Sequence, residues 1–329
     1  MQPAYLAWQL QRLYRSPAIW AVQQQTTGII NLKVEQYLQF KIPLPPLPEQ
    51  RRITEVLDTL DEAIQKAERV IAKLKQMKQG LLHDMLTRGI DENGELRDPE
   101  RYPEQFKEST LGLIPNDWAV APFAAYASPN RPYLKTGPFG SSLKQEHWVA
   151  QGVPVITIGS LGEGEFYQSE LLYVSEQTAS ALASYAVFDG DIVFSRVADV
   201  GRSVTISRAE SGWIMSSNMM WISVDRARAV PAYVQANISA NVQVRAQIRR
   251  MVNSAGRDVA NAQIMNVLQL PWPTMGEQQR VVRVRSEVDA RIASELVALS
   301  KLESLRRGLA EDLLTGRVRV TKLLDEASS

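Results

Sequence analysis

The sequence predicts an α+β protein in which a globular domain is combined with two long helices that form an antiparallel coiled coil. Three observations lead to this prediction. The chain of 329 residues repeats itself, because Glu49 lies over Glu277 at a shift of 228 residues. Each copy contains a long segment with the heptad pattern of a coiled-coil helix. Between the two helical segments lie short runs of strand-forming residues bounded by Gly, Ser and Asp.

The repeat holds without a gap over a long stretch of the chain. The coinciding residues include Pro3-Ala4-Tyr5 with Pro231-Ala232-Tyr233, Gly28 with Gly256, Glu49-Gln50 with Glu277-Gln278, Gly80-Leu81 with Gly308-Leu309, and Thr87 with Thr315. Coincidences of uncommon residues at a single shift indicate duplication of one structural unit. Each copy has the same order: a polar and aromatic segment, a proline-punctuated turn or strand, and a charged helix.

The helix of the first copy is predicted over residues 49–88. It follows a stretch from Ile42 to Pro48 in which four prolines favour an extended backbone, so we expect the helix to begin near Glu49. Apolar residues recur at alternating steps of four and three, and the predicted seam comprises Ile53, Leu57, Leu60, Ile64, Ile71 and Leu74. A helix of this length would extend roughly 60 Å, at about 1.5 Å per residue, and would project from a small domain.

The helix of the second copy is predicted over residues 277–316. Its seam runs through Val281, Val284, Val288, Ile292, Leu296, Leu299, Leu302, Leu305, Leu309 and Leu313. Arg285 and Glu295 stand where the first copy has Leu57 and Ala67, so the two seams are similar without being identical. This is expected of the two partners of one antiparallel pair. The alternative is that the two segments are unrelated amphipathic helices.

The remaining chain divides at changes in composition. Residues 89–117 are rich in turn-forming and charged residues and are predicted to be a linker. Residues 118–276 contain β-like runs at 153–158, 191–194 and 221–224, and are predicted to form the compact α+β domain. Residues 1–48 form a shorter segment before the first helix, and residues 317–329 form a C-terminal tail.

Composition excludes several classes of function. The chain has no cysteine, so disulfides and thiolate chemistry are excluded, and a reducing cytoplasm is the expected location. Only two histidines are present, which leaves little material for a metal site or a histidine-based catalytic triad. No long apolar run or secretory signal is present. The formal net charge of +1 by itself argues mildly against a nucleic-acid partner.

Motifs of nucleic-acid enzymes were considered and rejected. Asn130-Arg131-Pro132-Tyr133 has an arginine where the tight turn of an adenine methyltransferase requires proline. The glycines of 159–164 have the wrong order for a dinucleotide fingerprint, and the sequence has no phosphate-binding loop with Gly-Lys-Ser or Gly-Lys-Thr. We therefore predict no catalytic residue, no metal and no cofactor in this chain.

The helical segments and their flanks resemble the conserved spacer regions of type I restriction-modification specificity subunits. The residues that carry this resemblance are Pro45-Pro46-Leu47-Pro48-Glu49-Gln50, Met85-Leu86-Thr87-Arg88-Gly89, Glu277-Gln278, and Asp312-Leu313-Leu314-Thr315-Gly316. The stretch from Leu111 to Trp118 looks like the entry to a target-recognition domain of that family. Gly137–Leu143, Gly190–Arg196 and Ser217-Asn218 resemble recurring stretches within such a domain.

This resemblance implies a non-catalytic subunit that reads double-stranded DNA and docks modification subunits on its helices. The modification subunits would carry S-adenosylmethionine and methylate adenine, and restriction subunits are a further expected partner. The family pattern has two target-recognition domains, each reading one half-site. Here residues 118–276 match a complete domain, whereas residues 1–48 match only the C-terminal part of another. A second copy of this chain, or a complementary fragment, is expected to supply the other half. The fragment is slightly favoured, because Tyr5, Trp8, Tyr14 and Trp20 would otherwise lie exposed as an apolar patch.

The candidate DNA-binding residues lie on predicted loops and combine positive charge, amide groups and a flexible glycine-serine turn. They are Lys135, Gly140, Ser141, Ser142, Lys144, Arg196, Arg202, Asn218, Arg257 and Asn261. Lysines and arginines bind phosphates, whereas forked or amide side chains such as those of Arg196 and Asn218 can read base edges. Two alternatives remain open: a coiled-coil scaffold that binds only proteins, and an enzyme acting on nucleic acid.

Overall fold

The computed structural model describes residues 1–26, 29–162, 164–197, 201–254 and 259–320. The chain divides into two compact units, one formed by Met1–Gln76 with Asp289–Ser329 and the other by Met77–Val288. Both boundaries fall within the long helices, so each unit contains part of both. Helices and strands are mixed, and the α+β prediction is confirmed.

Two of the eight α-helices in the described residues are much longer than the others. The helices are α1 (Pro3–Arg15), α2 (Val34–Tyr37), α3 (Leu47–Thr87), α4 (Glu176–Ala181), α5 (Pro231–Ala240), α6 (Val242–Ser254), α7 (Ala262–Val267) and α8 (Met275–Thr315). Both long helices, α3 and α8, begin two residues before the predicted start. In α3 the reason is that Pro48 occupies the first turn, where its missing N–H would have no intrahelical partner. No helix in this part of the chain is long and apolar enough to cross a membrane.

Fourteen short strands occur in the described residues. In chain order they are β1 (Gln23–Thr26), β2 (Ile29–Leu32), β3 (Phe106–Ser109), β4 (Gly112–Pro115), β5 (Ala119–Pro122), β6 (Leu134–Thr136), β7 (Trp148–Val149), β8 (Val153–Ile156), β9 (Leu172–Val174), β10 (Ile192–Ser195), β11 (Ser203–Thr205), β12 (Ile214–Met215), β13 (Met219–Ile222) and β14 (Gln269–Trp272). Two sheets have four strands each, in the orders β11-β10-β13-β6 and β12-β8-β9-β7. The pairs β1-β2, β3-β4 and β5-β14 form two-stranded sheets.

The sheet β11-β10-β13-β6 is buried on both faces. Ile192 and Phe194 of β10 belong to a core cluster shared with helices α5, α6 and α7. Val193, the residue between them, belongs to a second cluster that includes Ile156 of β8 and Met215 of β12. Successive side chains of a strand point to opposite faces, so the sheet lies between the helices and the second sheet. This packing fixes the positions of the strand ends.

The two long helices run antiparallel within the first unit. Ile53 and Leu57, near the start of α3, share a core cluster with Leu313, near the end of α8. Farther along α3, Asp61 accepts a hydrogen bond of 2.6 Å from Arg306, which lies farther back along α8. Positions that advance along one helix therefore meet positions that recede along the other.

Most of the predicted seam residues are shielded positions of these helices. The buried ones are Ile53, Leu57, Ile64 and Ile71 of α3 and Val281, Ile292 and Leu313 of α8. The half-buried ones are Leu60, Leu74, Val284, Val288, Leu299, Leu302 and Leu309. The prediction was wrong for Leu296 and Leu305, which are exposed, because the steps of the second seam depart from a strict alternation of four and three. Val70, Met77 and Val297 are also exposed.

The repeat reappears as matched hydrogen bonds at the start of each long helix. Tyr5 donates to the carbonyl oxygen of Pro43 at 3.0 Å, and its counterpart Tyr233 donates to Pro271 at 3.2 Å. The buried Gln50 and Gln278 repeat a second pattern. Each accepts from a backbone N–H, of Gln2 or Val230, at 2.9 Å. Each also donates to a carbonyl oxygen, of Pro45 or Pro273. The duplicated residues therefore perform duplicated structural roles.

A buried glutamate precedes each of these glutamines. Glu277 accepts hydrogen bonds from both terminal nitrogens of Arg97, at 2.6 and 3.2 Å, from the backbone N–H of Ile90 at 2.9 Å and from the indole of Trp118 at 3.1 Å. Glu49 accepts two hydrogen bonds of 2.6 Å from Arg319. These bonds hold the pKa of the Glu49 carboxyl below its usual range, with burial opposing the shift. In each case the arginine follows the end of the other long helix.

The aromatic residues of the first segment do not form one exposed patch, as their composition suggested. Tyr5 and Trp8 are buried against the long helices, and the Trp8 indole donates to Asp58 at 2.9 Å. Tyr14 and Trp20 are exposed. The expectation was wrong for the first pair because α1 turns one face onto α3 and α8.

Candidate nucleic-acid interface

Loops from distant parts of the sequence meet at one end of the sheet β11-β10-β13-β6. All neighbouring strands in this sheet are antiparallel. The last residues of β6 and β10 therefore lie at the same end as the first residues of β13 and β11. The segments at this end include 137–144, 196–197, 201–202 and 216–218. We call this region the loop edge.

Close backbone contacts hold the loop edge together. The N–H of Gly137 donates to the carbonyl oxygen of Met219 at 2.9 Å. A Cβ atom at Gly137 would collide with the carbonyl oxygen of Ser216, so only glycine fits this approach. The isolated bridge between Val197 and Val259 brings the start of α7 to the same place.

Arg196 and Asn218 are direct neighbours at the loop edge. The backbone N–H of Arg196 donates to the carbonyl oxygen of Asn218 at 3.0 Å. The guanidinium of Arg196 is half-buried and its Nε donates to the carbonyl oxygen of Ala260 at 3.0 Å. Burial lowers the pKa of Arg196, although an arginine stays charged at neutral pH. The side chain of Asn218 is exposed. A forked donor and a free amide thus lie side by side.

Three other predicted residues lie on the loop edge, whereas Lys135, predicted on a loop, lies in strand β6. Gly140 and Ser142 lie in an exposed 3-10 turn, and Lys144 is exposed beside Glu146. The ammonium of Lys135 lies 4.4 Å from the centre of the Tyr185 ring, a cation–π contact that restrains it.

The side chains of two further predicted residues form hydrogen bonds within the chain. Arg202 donates to the carbonyl oxygen of Ile158 at 3.2 Å. The side-chain oxygen of Asn261 caps α7 by accepting from Ile264 at 2.9 Å. This cap uses the acceptor that a base-reading amide would need. Arg257 lies outside the described residues, as does the side chain of Ser141.

Phe139 is a residue that the sequence reasoning missed. It lies on the loop edge between Pro138 and Gly140, and its side chain is 85% exposed. The backbone N–H of Ser142 donates to its carbonyl oxygen at 2.8 Å, so the turn that presents it is closed. A large apolar side chain on a polar loop is uncommon unless it meets a partner. Its placement between proline and glycine was the available signal.

Comparisons with known proteins give one consistent result. Residues 5–76 match the type I restriction modification DNA specificity domain. The chain is 24% identical over 324 residues to the specificity subunit assigned to the type I restriction enzyme MjaX of Methanocaldococcus jannaschii, an alignment that covers 97% of this chain and 69% of that protein. It is 20% identical over 308 residues to the specificity subunit of the MjaVIII enzyme of the same organism, with 92% and 67% covered.

The fold is also found in a solved structure. The type I restriction-modification S subunit from M. genitalium matches with a TM-score of 0.56 at 15% identity, covering 95% of this chain and 73% of that chain. At this identity the match shows the fold alone. Together with the sequence similarities, it confirms the resemblance that the helix-flanking motifs predicted.

Proposed function

We propose that this chain, a relative of type I restriction-modification specificity subunits, reads a DNA half-site with its loop edge and docks modification subunits on its long helices. The observation that carries the proposal is the convergence of Arg196, Asn218 and the 137–144 loop at one end of a rigid sheet. These residues are separated by tens of positions in the sequence. Binding residues are commonly placed on loops that a packed scaffold positions.

The chemistry of the loop edge suits double-stranded DNA. A guanidinium fork can bond to two acceptors of guanine, and an amide can bond to adenine, in the major groove. Arg196 and Asn218 supply these two kinds of group. Lys144 supplies a mobile charge suited to phosphate, which fixes position without reading sequence. The near-neutral net charge is consistent with a subunit whose partners provide part of the DNA affinity.

The long helices provide the surface for modification subunits in this proposal. Most positions of their seams are shielded by each other, so the exposed side chains must face a partner. Met77 of α3 and Leu296, Val297 and Leu305 of α8 are exposed apolar residues on these helices. Exposed apolar side chains on otherwise charged helices are suited to protein partners. The chain itself is proposed to be non-catalytic, with methyl transfer performed by the modification subunit.

A second recognition-domain body, outside the described residues, is proposed to read the second half-site. In the second copy of the repeat, α5 packs against β10 and β11, and β14 pairs with β5. In the first copy, residues 41–44, which correspond to β14, pair with no strand among the described residues. Such a body would cover α1 and pair with this segment. The mass of the purified complex, read beside its methylated motif, distinguishes a second copy of this chain, a complementary fragment and a further segment of the same protein as its source.

The DNA-reading role is tested with the full chain and its modification subunit. We expect Arg196→Ala and Asn218→Ala to reduce discrimination between target and non-target duplexes. Lys144→Ala should weaken binding to all sequences alike. It should also reduce the slope of binding affinity against salt concentration by an amount that corresponds to about one phosphate contact. Arg208→Ala is the matched control, because Arg208 is exposed beyond the opposite end of β11.

The readouts are binding anisotropy in a salt series and the methylated motif found by sequencing. Parent-like discrimination in the Arg196 and Asn218 variants would place DNA reading elsewhere. A complex that binds modification subunits but no DNA would support the scaffold alternative instead. Methyl transfer by the isolated chain would contradict the non-catalytic assignment.

A further inference from the structure

A basic pocket with an apolar floor lies in the first unit between α1 and the end of α8. Its volume is about 400 Å³. Trp8, Ala310 and Leu314 form the floor, and both large side chains among them are buried. The wall is polar and mostly cationic, and it includes Gln11, Arg12, Arg15, Arg306, Arg307 and Glu311. The pocket therefore combines an apolar base with a charged opening.

The positive charge of this pocket is only partly neutralised by the chain. Arg306 pairs with Asp61 at 2.6 Å, and Arg12 approaches Glu311 at 3.9 Å. Arg15 and Arg307 pair with no carboxylate among the described residues, although Arg307 donates to the hydroxyl of Ser304 at 3.2 Å. Two forked donors are thus available to an anionic group that enters the opening.

The repeat shows which side chains of this pocket differ between the two copies. At the shift of 228 residues, Ala310 corresponds to Leu82 and Ser16 to Val244. Both counterparts are buried apolar residues of the core in the second unit. The first copy therefore has smaller side chains at these two positions, whereas its Trp8 replaces the smaller Ala236. Arg15 and Arg307 correspond to the uncharged Gln243 and Gln79, so these two charges are particular to the first copy, whereas Arg306 corresponds to Lys78.

We propose that this pocket binds an acidic segment of the modification subunit, with an apolar side chain on the floor and carboxylates at the rim. The cavity has room for one or two apolar side chains like those that the second copy supplies itself. The arginine forks match carboxylates in bidentate geometry. A DNA backbone would use the charge but leave the buried indole floor without a partner, so a peptide is favoured.

The inference rests on the proposed function in one respect, namely that a modification subunit binds this chain. The test introduces the photoreactive residue p-benzoylphenylalanine at the exposed position of Gln11, at the pocket rim, in the full chain co-expressed with its modification subunit. Irradiation and mass spectrometry then identify what is linked. The expected product is a modification-subunit peptide with apolar and acidic residues.

A charge-reversal pair provides the second measurement. The double variant Arg15→Glu/Arg307→Glu is expected to weaken binding of the modification subunit by about tenfold or more, since one lost charged contact already corresponds to about that factor. The double variant Arg208→Glu/Arg249→Glu makes the same charge change at exposed positions outside the long helices and is the control. Its affinity for the modification subunit should stay within about twofold of the parent's, a change far smaller than the loss of one charged contact would cause.

The outcomes separate the two proposals. If the parent chain fails to bind the modification subunit, both the docking function and the pocket assignment are overturned. If the complex forms with parent affinity in the Arg15 and Arg307 variant, only the pocket assignment is overturned. Equal losses in the variant and the control would also overturn it, as would linkage to DNA, to this chain itself or to a basic peptide.

Discussion

The buried carboxylate of Glu277 offers a quantitative test of how the second unit is held together. Glu277→Gln replaces one of two oxygens that together accept four hydrogen bonds, from Arg97, Ile90 and Trp118. The amide nitrogen of glutamine is itself a donor, and it would stand where a carboxylate oxygen now accepts hydrogen bonds. Arg97, whose side chain is only 14% exposed, would keep only the more exposed Asp117, at 3.3 Å, as a counter-charge. Breaking a buried pair in this way costs about 3–5 kcal/mol.

The repeat supplies a matched control for this measurement. Glu49→Gln removes the equivalent carboxylate, but its partner Arg319 is 55% exposed and can be rehydrated. We expect Glu49→Gln to lower the free energy of unfolding by less than half as much as Glu277→Gln. Urea denaturation followed by near-ultraviolet circular dichroism reports both losses. Equal losses, or a loss below about 1 kcal/mol for Glu277→Gln, would refute the reasoning from burial.

Three further predictions concern the helix seam, the stability of the protein at acid pH and the loop edge. Ile64→Asp and Ile292→Asp should each lower the free energy of unfolding by several kcal/mol, because each buries an unpaired charge. Each should also abolish binding of the modification subunit. Melting temperature and pull-down like the parent's would contradict the pairing of the two long helices. Hydrogen bonds from Arg319 lower the pKa of the Glu49 carboxyl. The stability that they provide is therefore present above the ordinary glutamate pKa and is lost as the pH falls through the lowered value. In a pH series over that window, the difference in stability between the parent and Arg319→Ala should shrink as the pH falls. Phe139→Ala should weaken DNA binding severalfold and leave the melting temperature unchanged, because the side chain contacts little of its own chain. Phe139→Trp should retain DNA binding. A binding anisotropy unchanged by Phe139→Ala would exclude a contact between this side chain and DNA.

The long helices could be predicted from the sequence because their signals are local and periodic. A seam from Ile53 to Leu74 needs no knowledge of the fold to be recognised. The start of α3 was displaced by two residues, since Pro48 is compatible with the first turn of a helix and only unfavourable farther inside. The shift of 228 residues also predicted which residues correspond, and the matched bonds of Tyr5 and Tyr233 agree with it.

The loop edge could not be assembled from the sequence. The 137–144 loop, Arg196 and Asn218 lie at one end of the sheet because β6, β13 and β10 are adjacent, and strand order is not encoded in local pattern. For the same reason the cap made by Asn261 was indistinguishable from a free amide before α7 was seen. The close approach of Gly137 to Ser216, two residues before the exposed Phe139, is likewise a tertiary contact.

The matched bonds of Gln50 and Gln278 have a practical consequence for protein engineering. Each glutamine joins the turn before a long helix to the segment that opens the neighbouring short helix, through the same two contacts. A chimaera joined within residues 45–50, or within the corresponding residues 273–278, would exchange one of these connections for its equivalent. We expect such junctions to tolerate the exchange of whole modules, since the contacts on both sides of the cut are already interchangeable.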